Sequence, residues 1–298
     1  FQLMGYPFES REAAILNMHI FETIYYAALQ QSMELAERDG CYKSFEGSPA
    51  SQGLLQPHLW SQYNHKVGTS CPKYAYNWND SSPLAGDQAS DLAYLYPWDA
   101  IATEVKERGL RNSLLIALMP TAGTSQLLGN FESFDPMSSN LFTRQTLAGD
   151  FPVVNKHLVT VLRAMNLWNK DMKDQINALD GSIQNIDGIP DHVKDVFKTA
   201  WEIKQKAVME LSVIRGQFVC HTQSLNLHVA EPSVSTMVAA LSYGMKTGLK
   251  TLAYYTRTPE ARTAVKVTLA ADQTRVKPDA APSKKFTCTD DVCTACSS

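Results

Sequence analysis

Apolar side chains recur at helical spacing in several stretches of the chain. From Ser10 to about Arg38 the intervals are three, four and five residues, and Gly40 follows as a stop. This pattern predicts one long helix packed on a core. The same spacing predicts further helices at Trp98–Arg108, at about 155–179 and at about 191–214.

Start and stop signals accompany the later helices. Pro190-Asp191 stands where the helix at 191–214 would open, and Gly216 stands where it would close. Ser233 is the expected cap of a last helix that ends near Gly248.

Three segments between these helices have the character of strands. Leu114–Leu118 is a compact apolar run typical of a buried strand, and Gln223–Val229 alternates apolar with polar residues. Lys250–Thr256 predicts a further strand. Strands that alternate with helices in this order favour an α/β fold with a parallel sheet or barrel.

Two stretches lack a clear period. Residues 41–97 carry many Gly, Pro, Ser, Asn and Asp and predict a long loop or insertion. From Pro259 onward the pattern fades, and residues 271–298 are expected to form a mobile tail. The composition elsewhere, with 44% apolar and 19% charged residues in a chain of 298, is that of a globular protein with a buried core.

Charge and hydropathy narrow the function classes. A formal net charge of -3 argues against a basic protein that coats nucleic acid. Runs of about 18 apolar residues, as a membrane span needs, are absent from the sequence, and the first residues do not form a secretory signal. A cytoplasmic location is expected.

A small, hydroxyl-rich loop follows the first predicted strand. Pro120–Gln126 offers backbone N–H groups and the hydroxyls of Thr121, Thr124 and Ser125, which could converge on an anion such as a phosphate. It is neither a Walker A loop nor a dinucleotide-binding fingerprint. A small-residue turn without a ligand therefore stays open.

Two other features carry possible chemistry. Tyr254-Tyr255 lies near the end of a predicted strand, where neighbouring side chains face opposite sides, so that one ring packs and the other lines a cavity; packing alone is the alternative. Cys293 and Cys296 form a CxxC pair near the C-terminus, with Cys288 close by. This spacing favours redox exchange over half of a zinc site or incidental tail cysteines.

Ordered agreement along the chain resembles one family, the large (alpha) subunit of class I ribonucleotide reductase of the eukaryotic and viral type. The matching stretches are, in order, Tyr6–Ser10, Ile20–Tyr26, Glu46–Pro49, Trp98–Pro120, Asn140–Arg144, Gly181–Gln184, Gln223–Asn226, Gly248–Thr251 and Tyr254-Tyr255. The resemblance implies an α/β fold: residues 1–258 form the C-terminal part of a ten-stranded barrel, with 67–97 as an insertion. Residues 259–298 are then a flexible, cysteine-bearing tail.

The resemblance also implies roles for particular residues. The loop that holds the substrate's phosphates in the family corresponds here to Thr121, Ala122, Gly123, Thr124 and Ser125. Tyr254 and Tyr255 correspond to the stacked pair that relays a radical to the active-site thiol. Cys293 and Cys296 correspond to the pair that re-reduces the active-site disulfide, an exchange that needs an accessible thiolate.

The implied activity is the thioredoxin-dependent reduction of ribonucleoside diphosphates to 2′-deoxyribonucleoside diphosphates by radical chemistry, for DNA precursor synthesis. The chain is expected to bind neither a cofactor nor a metal itself. A diiron-tyrosyl radical cofactor belongs to the small (beta) subunit, and allosteric ATP and dNTP sites belong to the N-terminal part of the large subunit. Expected partners are the substrate, both of these protein parts, and thioredoxin or glutaredoxin, but not nucleic acid or a membrane.

Two interpretations stay open. In the first, the chain is part of an active enzyme, either clipped or split, and is inactive alone because the thiyl-radical half lies outside it. In the second, it is a non-catalytic remnant or interaction module that binds the small subunit through the helix near 233–247. The tyrosine pair and the CxxC favour the first, since a pure binding module needs neither.

Overall fold

A computed structural model of the chain describes residues 1–60, 94–147 and 149–259. The helices that it bounds are α1 Arg11–Asp39, α2 Trp98–Arg108, α3 Ala122–Leu127, α4 Lys156–Ala164, α5 Lys170–Ala178, α6 Asp191–Val196, α7 Gln205–Gly216 and α8 Val234–Lys246. Residues 56–60 are also helical. The strands are β1 Leu141–Thr146, β2 Gly149–Val154, β3 Asn226–His228 and β4 Tyr255–Arg257.

The long first helix is confirmed. The Ser10 side chain accepts a hydrogen bond from the Ala13 amide at 3.1 Å and caps the start of α1. Glu22 is fully buried in the middle of α1, and its Oε1 accepts hydrogen bonds from the Leu95 and Tyr96 amides and from Trp98 Nε1. These bonds fasten the start of α2 to α1, because a buried carboxylate must find partners.

The helix predicted at Trp98–Arg108 has those bounds and ends at Gly109, whose φ is 76°. The pattern at 155–179 consists of two helices, α4 and α5, rather than one. Asn155 and Asn169 each cap the start of one of them by accepting amide hydrogen bonds. Between them, Asn166 has a left-handed φ of 58°, which breaks the helical path.

The prediction of a single helix at 191–214 is wrong. The chain instead forms α6 and α7, because amides between them bond to groups outside a helical ladder. The Thr199 amide donates to Glu202 Oε2 at 2.7 Å, and the Lys204 amide donates to Glu9 Oε1 at 3.2 Å. Gly216 belongs to α7, where a side chain would collide with the Trp60 ring. The prediction that the helix ends at Gly216 is confirmed, and close packing is a second reason for a glycine at this position.

The predicted parallel pairing is present, but it involves only two short strands. β3 and β4 run parallel, with Asn226 opposite Tyr255 and His228 opposite Arg257. On the side of this chain segment that faces away from β4, a parallel bridge joins Leu118 to Gln223. β1 and β2 form an antiparallel hairpin that the hydrophobic pattern did not predict.

Two strand predictions need correction. Leu114–Leu118 is not a buried strand: Leu114 is 52% exposed, and the segment bonds along one side to residues 221–224. The predicted strand Lys250–Thr256 begins only at Tyr255 and ends at Arg257. Before it, the chain is held by the Lys250 ammonium, which donates to the carbonyl oxygens of Val219 and Cys220, so no ladder forms there.

Three apolar clusters stabilise the described part of the chain. The first lies between α1, α2 and α7, the second under the hairpin with α4 to α6, and the third between α7, β3 and α8. α7 contributes to the first and the third. The described strands form two two-stranded sheets and do not close a barrel. The predicted insertion at 67–97 lies mostly outside the described residues, and the tail from 260 onward lies entirely outside them.

Candidate active site beside the parallel strands

The hydroxyl-rich loop follows the extended segment that ends at Leu118. Thr121 has a left-handed φ of 55° and precedes the short helix α3. Ser125 is buried and its hydroxyl donates to the Ala122 carbonyl at 3.2 Å. Thr121, Ala122, Gly123 and Thr124 are exposed. Four of the five predicted phosphate-binding residues therefore present their atoms to solvent, and Ser125 lies beneath them.

Ser133 connects this loop to the strand beside it. Its amide donates to the Pro120 carbonyl at 3.0 Å and lies 3.3 Å from Thr121 Oγ1. Its hydroxyl lies 3.0 Å from the Ser224 hydroxyl, and the Ser224 amide donates to the Leu118 carbonyl at 2.8 Å. The loop is thus held in a fixed position relative to the strand that leads into β3.

The two tyrosines lie on the other side of that strand. The rings of Tyr254 and Tyr255 have centroids 4.4 Å apart and planes inclined by 63°. Both side chains are more than half exposed, so the expectation that one ring packs and the other lines a cavity is wrong. They face the same region because Tyr254 precedes β4 and is free of its alternation. Hydrogen bonding to Tyr255 raises the pKa of Tyr254 above its ordinary value.

A buried polar cluster supports the start of β4. Asn226 Nδ2 donates to Asp135 Oδ2 at 2.7 Å, and Asn226 Oδ1 accepts from the Tyr255 amide at 3.2 Å. Burial raises the pKa of Asp135 to about 6. Burial also lowers the pKa of Arg215 to about 9, an effect that the nearby Asp135 opposes. Arg215 donates to Gln223 Oε1 at 2.7 Å and lies over the Phe134 ring.

An open cleft of about 730 Å³ lies beyond the ends of β3 and β4. His228 and Arg257 line it, together with Glu132, which accepts a hydrogen bond from Arg257 at 3.2 Å. Burial, and then the positive charge of Arg257, lower the pKa of His228 to about 4. The imidazole is therefore neutral near pH 7, and its Nδ1 has no hydrogen-bond partner among the described residues.

The sequence predicted the loop and the tyrosine pair as site residues, but not the side chains that lie between them. Ser133, Asp135, Arg215 and Asn226 connect the two sites. The available signal was an arginine within the apolar run at 207–216, because an arginine there must be paired if the helix is buried. Cys293 and Cys296 lie outside the described residues.

Two further properties bear on ligands. Within the described segments, His, Cys, Asp and Glu side chains do not gather in groups of three or more that could hold a metal ion. Over the same segments, none of the helices is both long and apolar enough to cross a bilayer.

Comparison with known proteins identifies the class of fold first. The structure resembles the class Id ribonucleotide reductase alpha subunit of Actinobacillus ureae, with a TM-score of 0.58 and 23% identity. The similarity covers 87% of this chain and 37% of that one. At this level of identity the match establishes a shared α/β fold.

The family follows from sequence. Residues 1–255 match the family model described as "Ribonucleotide reductase, barrel domain". The chain is 46% identical over 269 residues to the ribonucleoside-diphosphate reductase large subunit of Plasmodium falciparum, covering 90% of the chain and 30% of that protein. The large subunit of Vaccinia virus is 42% identical over 297 residues, covering 100% and 34% respectively. The chain therefore belongs to the ribonucleotide reductase barrel-domain family, as the resemblance predicted.

The chain spans about a third of the length of these curated relatives. The Caenorhabditis elegans large subunit shows the same proportion, with 42% identity over 298 residues and 34% of its length covered.

Proposed function

We propose that this chain acts as the C-terminal part of a ribonucleoside-diphosphate reductase large subunit. In this role it carries the substrate-phosphate loop, the last tyrosines of a radical relay and the thiols that restore the active site. The ring contact between Tyr254 and Tyr255 is the observation that carries the proposal, and the family membership of the chain supports it.

Radical relay requires two phenols in contact that can exchange a proton and an electron. A phenol stays protonated near neutral pH, so its one-electron oxidation also releases a proton. In each hop, the oxidised ring takes one hydrogen-atom equivalent from its neighbour and leaves the neighbour as the neutral radical. The 4.4 Å distance between the ring centroids makes the transfer between the two side chains short.

The loop at Thr121–Ser125 fits the phosphates of a nucleoside diphosphate. Its exposed residues offer amides and the Thr124 hydroxyl from one short segment, and oxygen anions favour such donor sets. The Thr121 hydroxyl already donates to the Pro120 carbonyl at 2.8 Å. Ser133 holds the loop against the strand beside the tyrosines. Substrate bound there by its diphosphate would lie close to the radical relay, as directed oxidation requires.

An apolar stripe on α8 fits the small subunit as a partner. Its members are Val234, Val238, Leu241 and Met245, whose spacing of four, three and four residues places them on one face, and their exposed fractions range from 48% to 82%. Exposed apolar faces of this kind bind partner segments. This stripe also supports the second candidate function, an interaction module without catalysis. The exposed tyrosine pair favours the catalytic role, because docking alone does not require two phenol rings in contact.

The CxxC pair is assigned the shuttle role. In it, Cys293 and Cys296 reduce the active-site disulfide by thiol exchange, become a disulfide themselves, and receive two electrons from thioredoxin or glutaredoxin. Replacing both with Ser in the complete enzyme should stop thioredoxin-driven turnover and spare turnover driven by a small dithiol. Equal loss with both reductants would contradict a shuttle.

The relay is tested by Tyr255→Phe in the complete large subunit, assayed with its small subunit. Phenylalanine has no phenolic proton, so turnover should fall by about 1,000-fold or more, which corresponds to more than ~4 kcal/mol of barrier. Nucleoside diphosphate affinity should stay within about twofold. Tyr96→Phe is the matched control, since Tyr96 stacks on Tyr26 at 4.0 Å away from the site. Normal turnover of Tyr255→Phe would refute the relay.

A further inference from the structure

Asn226 is the side chain that connects the exposed tyrosine pair to the protein interior. It is 1% exposed and lies opposite Tyr255 in the parallel pairing. Its two amide atoms bond in opposite directions, with Oδ1 accepting from the Tyr255 main-chain amide and Nδ2 donating to Asp135. The Tyr255 amide is therefore fixed by a side chain rather than by a strand carbonyl.

We propose that Asn226 is a positioning residue for the radical relay: its amide, oriented by Asp135, holds the Tyr255 main chain so that the Tyr254 and Tyr255 rings stay in contact. This inference rests on the proposed function and adds a residue to it. Asn226 acts through the main chain and does not touch the reacting phenols.

The rings need such support because their own packing is sparse. Tyr254 is 57% exposed and Tyr255 is 53% exposed. Besides the short β3–β4 pairing, the Tyr254 amide donates to the Leu225 carbonyl at 2.7 Å and the Tyr255 amide donates to Asn226. β4 is three residues long and adds little rigidity. Loss of the Asn226 bond would loosen the main chain at Tyr255 and allow its ring to shift relative to Tyr254.

Asp135 determines which way the Asn226 amide faces. An ionised carboxylate only accepts hydrogen bonds, so it selects the Nδ2 group and turns Oδ1 toward the Tyr255 amide. The reversed amide would place two acceptors together and two donors together. The positive charges of Arg257 and, to a smaller extent, of Arg215 favour the ionised form of Asp135. The orientation is thus fixed from the core of the molecule outward.

Three variants of the complete large subunit test this, each assayed with the small subunit. Asn226→Ala removes both hydrogen bonds. Asn226→Asp keeps an acceptor for Tyr255 but sets two carboxylates against each other. The double variant Asp135→Asn with Asn226→Asp restores one donor and one carboxylate across the same 2.7 Å contact.

A positioning role predicts a specific pattern. The kcat of Asn226→Ala and of Asn226→Asp should fall by about 10- to 100-fold, as expected for a misplaced reacting group. The KM for the nucleoside diphosphate should stay within about twofold, since the phosphate loop is unaffected. The double variant should recover kcat to within about threefold of the original protein, because the oriented contact is restored.

Asn140→Ala is the matched control. Asn140 is also 1% exposed and bonds to the Gly181 and Phe197 carbonyls in the other core, so its loss should lower stability without separating kcat from KM. Rates are expressed per folded molecule. If Asn226→Ala does not fold, the comparison of Asn226→Asp with the double variant decides the question.

Two results would overturn the inference: a normal kcat for Asn226→Ala, or a double variant as slow as Asn226→Asp. Both differ from failure of the relay itself, which would show as normal turnover in Tyr255→Phe.

Discussion

Helices α7 and α8 invert the usual relation between polarity and burial. α7 is buried from Lys206 to Gly216, although three of these residues, Lys206, Glu210 and Arg215, are charged. α8 instead exposes an apolar stripe, formed by Val234, Val238, Leu241 and Met245. The two helices are in contact, since the Tyr243 hydroxyl of α8 donates to Glu210 Oε1 at 3.1 Å.

The difference separates internal support from a contact surface. The charges of α7 have partners: Lys206 lies 3.9 Å from Glu210 and 5.5 Å from the centre of the Tyr243 ring, and Arg215 bonds to Gln223 and Ser212. Buried charges are retained only when they are paired in this way. The stripe of α8 has no comparable reason to be apolar unless a partner covers it. We therefore expect changes in α7 to alter stability and changes on the α8 stripe to alter association.

Removal of the buried guanidinium should have the largest effect on stability. Arg215→Met leaves Gln223 and Ser212 without their partner. The free energy of unfolding should fall by about 2 to 3 kcal/mol, because two buried groups lose their hydrogen bonds to a charged partner. Urea unfolding measures it. Arg163→Met on the exposed side of α4 is the control, and an equal loss there would mean that burial of Arg215 has no special weight.

A charge on the α8 stripe should weaken association instead. Leu241→Asp places a carboxylate among apolar side chains that a partner would cover, so affinity for the small subunit should fall by about 10- to 100-fold, or ~1.4 to 3 kcal/mol. The thermal midpoint should hardly change, because Leu241 is 48% exposed. Ser242→Asp is the matched control, as it adds the same charge to the same helix beside the stripe. Equal loss in both variants would show that the stripe is not the docking surface.

The smallest predicted effect is on the pH dependence of stability, where His228 and Asp135 have pKa values shifted in opposite directions. His228 has a pKa of about 4 in the folded protein, below its ordinary 6.5, so its contribution to the free energy of unfolding grows as pH rises from 4 to 6.5. Asp135 has a pKa of about 6, above its ordinary 3.8, so its contribution falls as pH rises from 4 to 6. The two slopes oppose each other in one pH window.

Single replacements should therefore separate the two slopes. Relative to the original protein, Asp135→Asn should gain stability with rising pH between 4 and 6, and His228→Gln should lose it, each by on the order of 1 to 2 kcal/mol. Urea midpoints at several pH values measure this. Identical pH profiles for both variants would contradict the assigned shifts.

Local signals allowed much of the fold to be predicted from the sequence. Gly40 and Ser233 mark helix ends by chemistry that acts within a few residues, and both predictions are confirmed. The break between α6 and α7 could not be predicted in this way, because it depends on Glu9, which lies far away in the chain. The shortness of β4 has a similar cause, since Lys250 bonds to carbonyl groups about 30 residues before it.

The residues of the candidate site differ in the same way in how far the sequence predicts them. The loop and the tyrosine pair were found because each is a short motif in the sequence. The cluster of Asp135, Arg215 and Asn226 was missed, because its members lie up to 91 residues apart and meet only in the folded chain. A tyrosine pair can be predicted from a family resemblance, but its rings meet edge to face rather than stacked, and the contacts that hold it must be observed.

The central claim is that Tyr255 carries an unpaired electron during turnover. The most direct measurement replaces Tyr255 with 3-aminotyrosine, an analogue that is oxidised more easily, in the complete large subunit. The protein is mixed with the small subunit and substrate and followed by electron paramagnetic resonance. The account predicts an aminotyrosyl signal that grows as the radical of the small subunit decays. Decay of that radical with no signal at position 255 would contradict it.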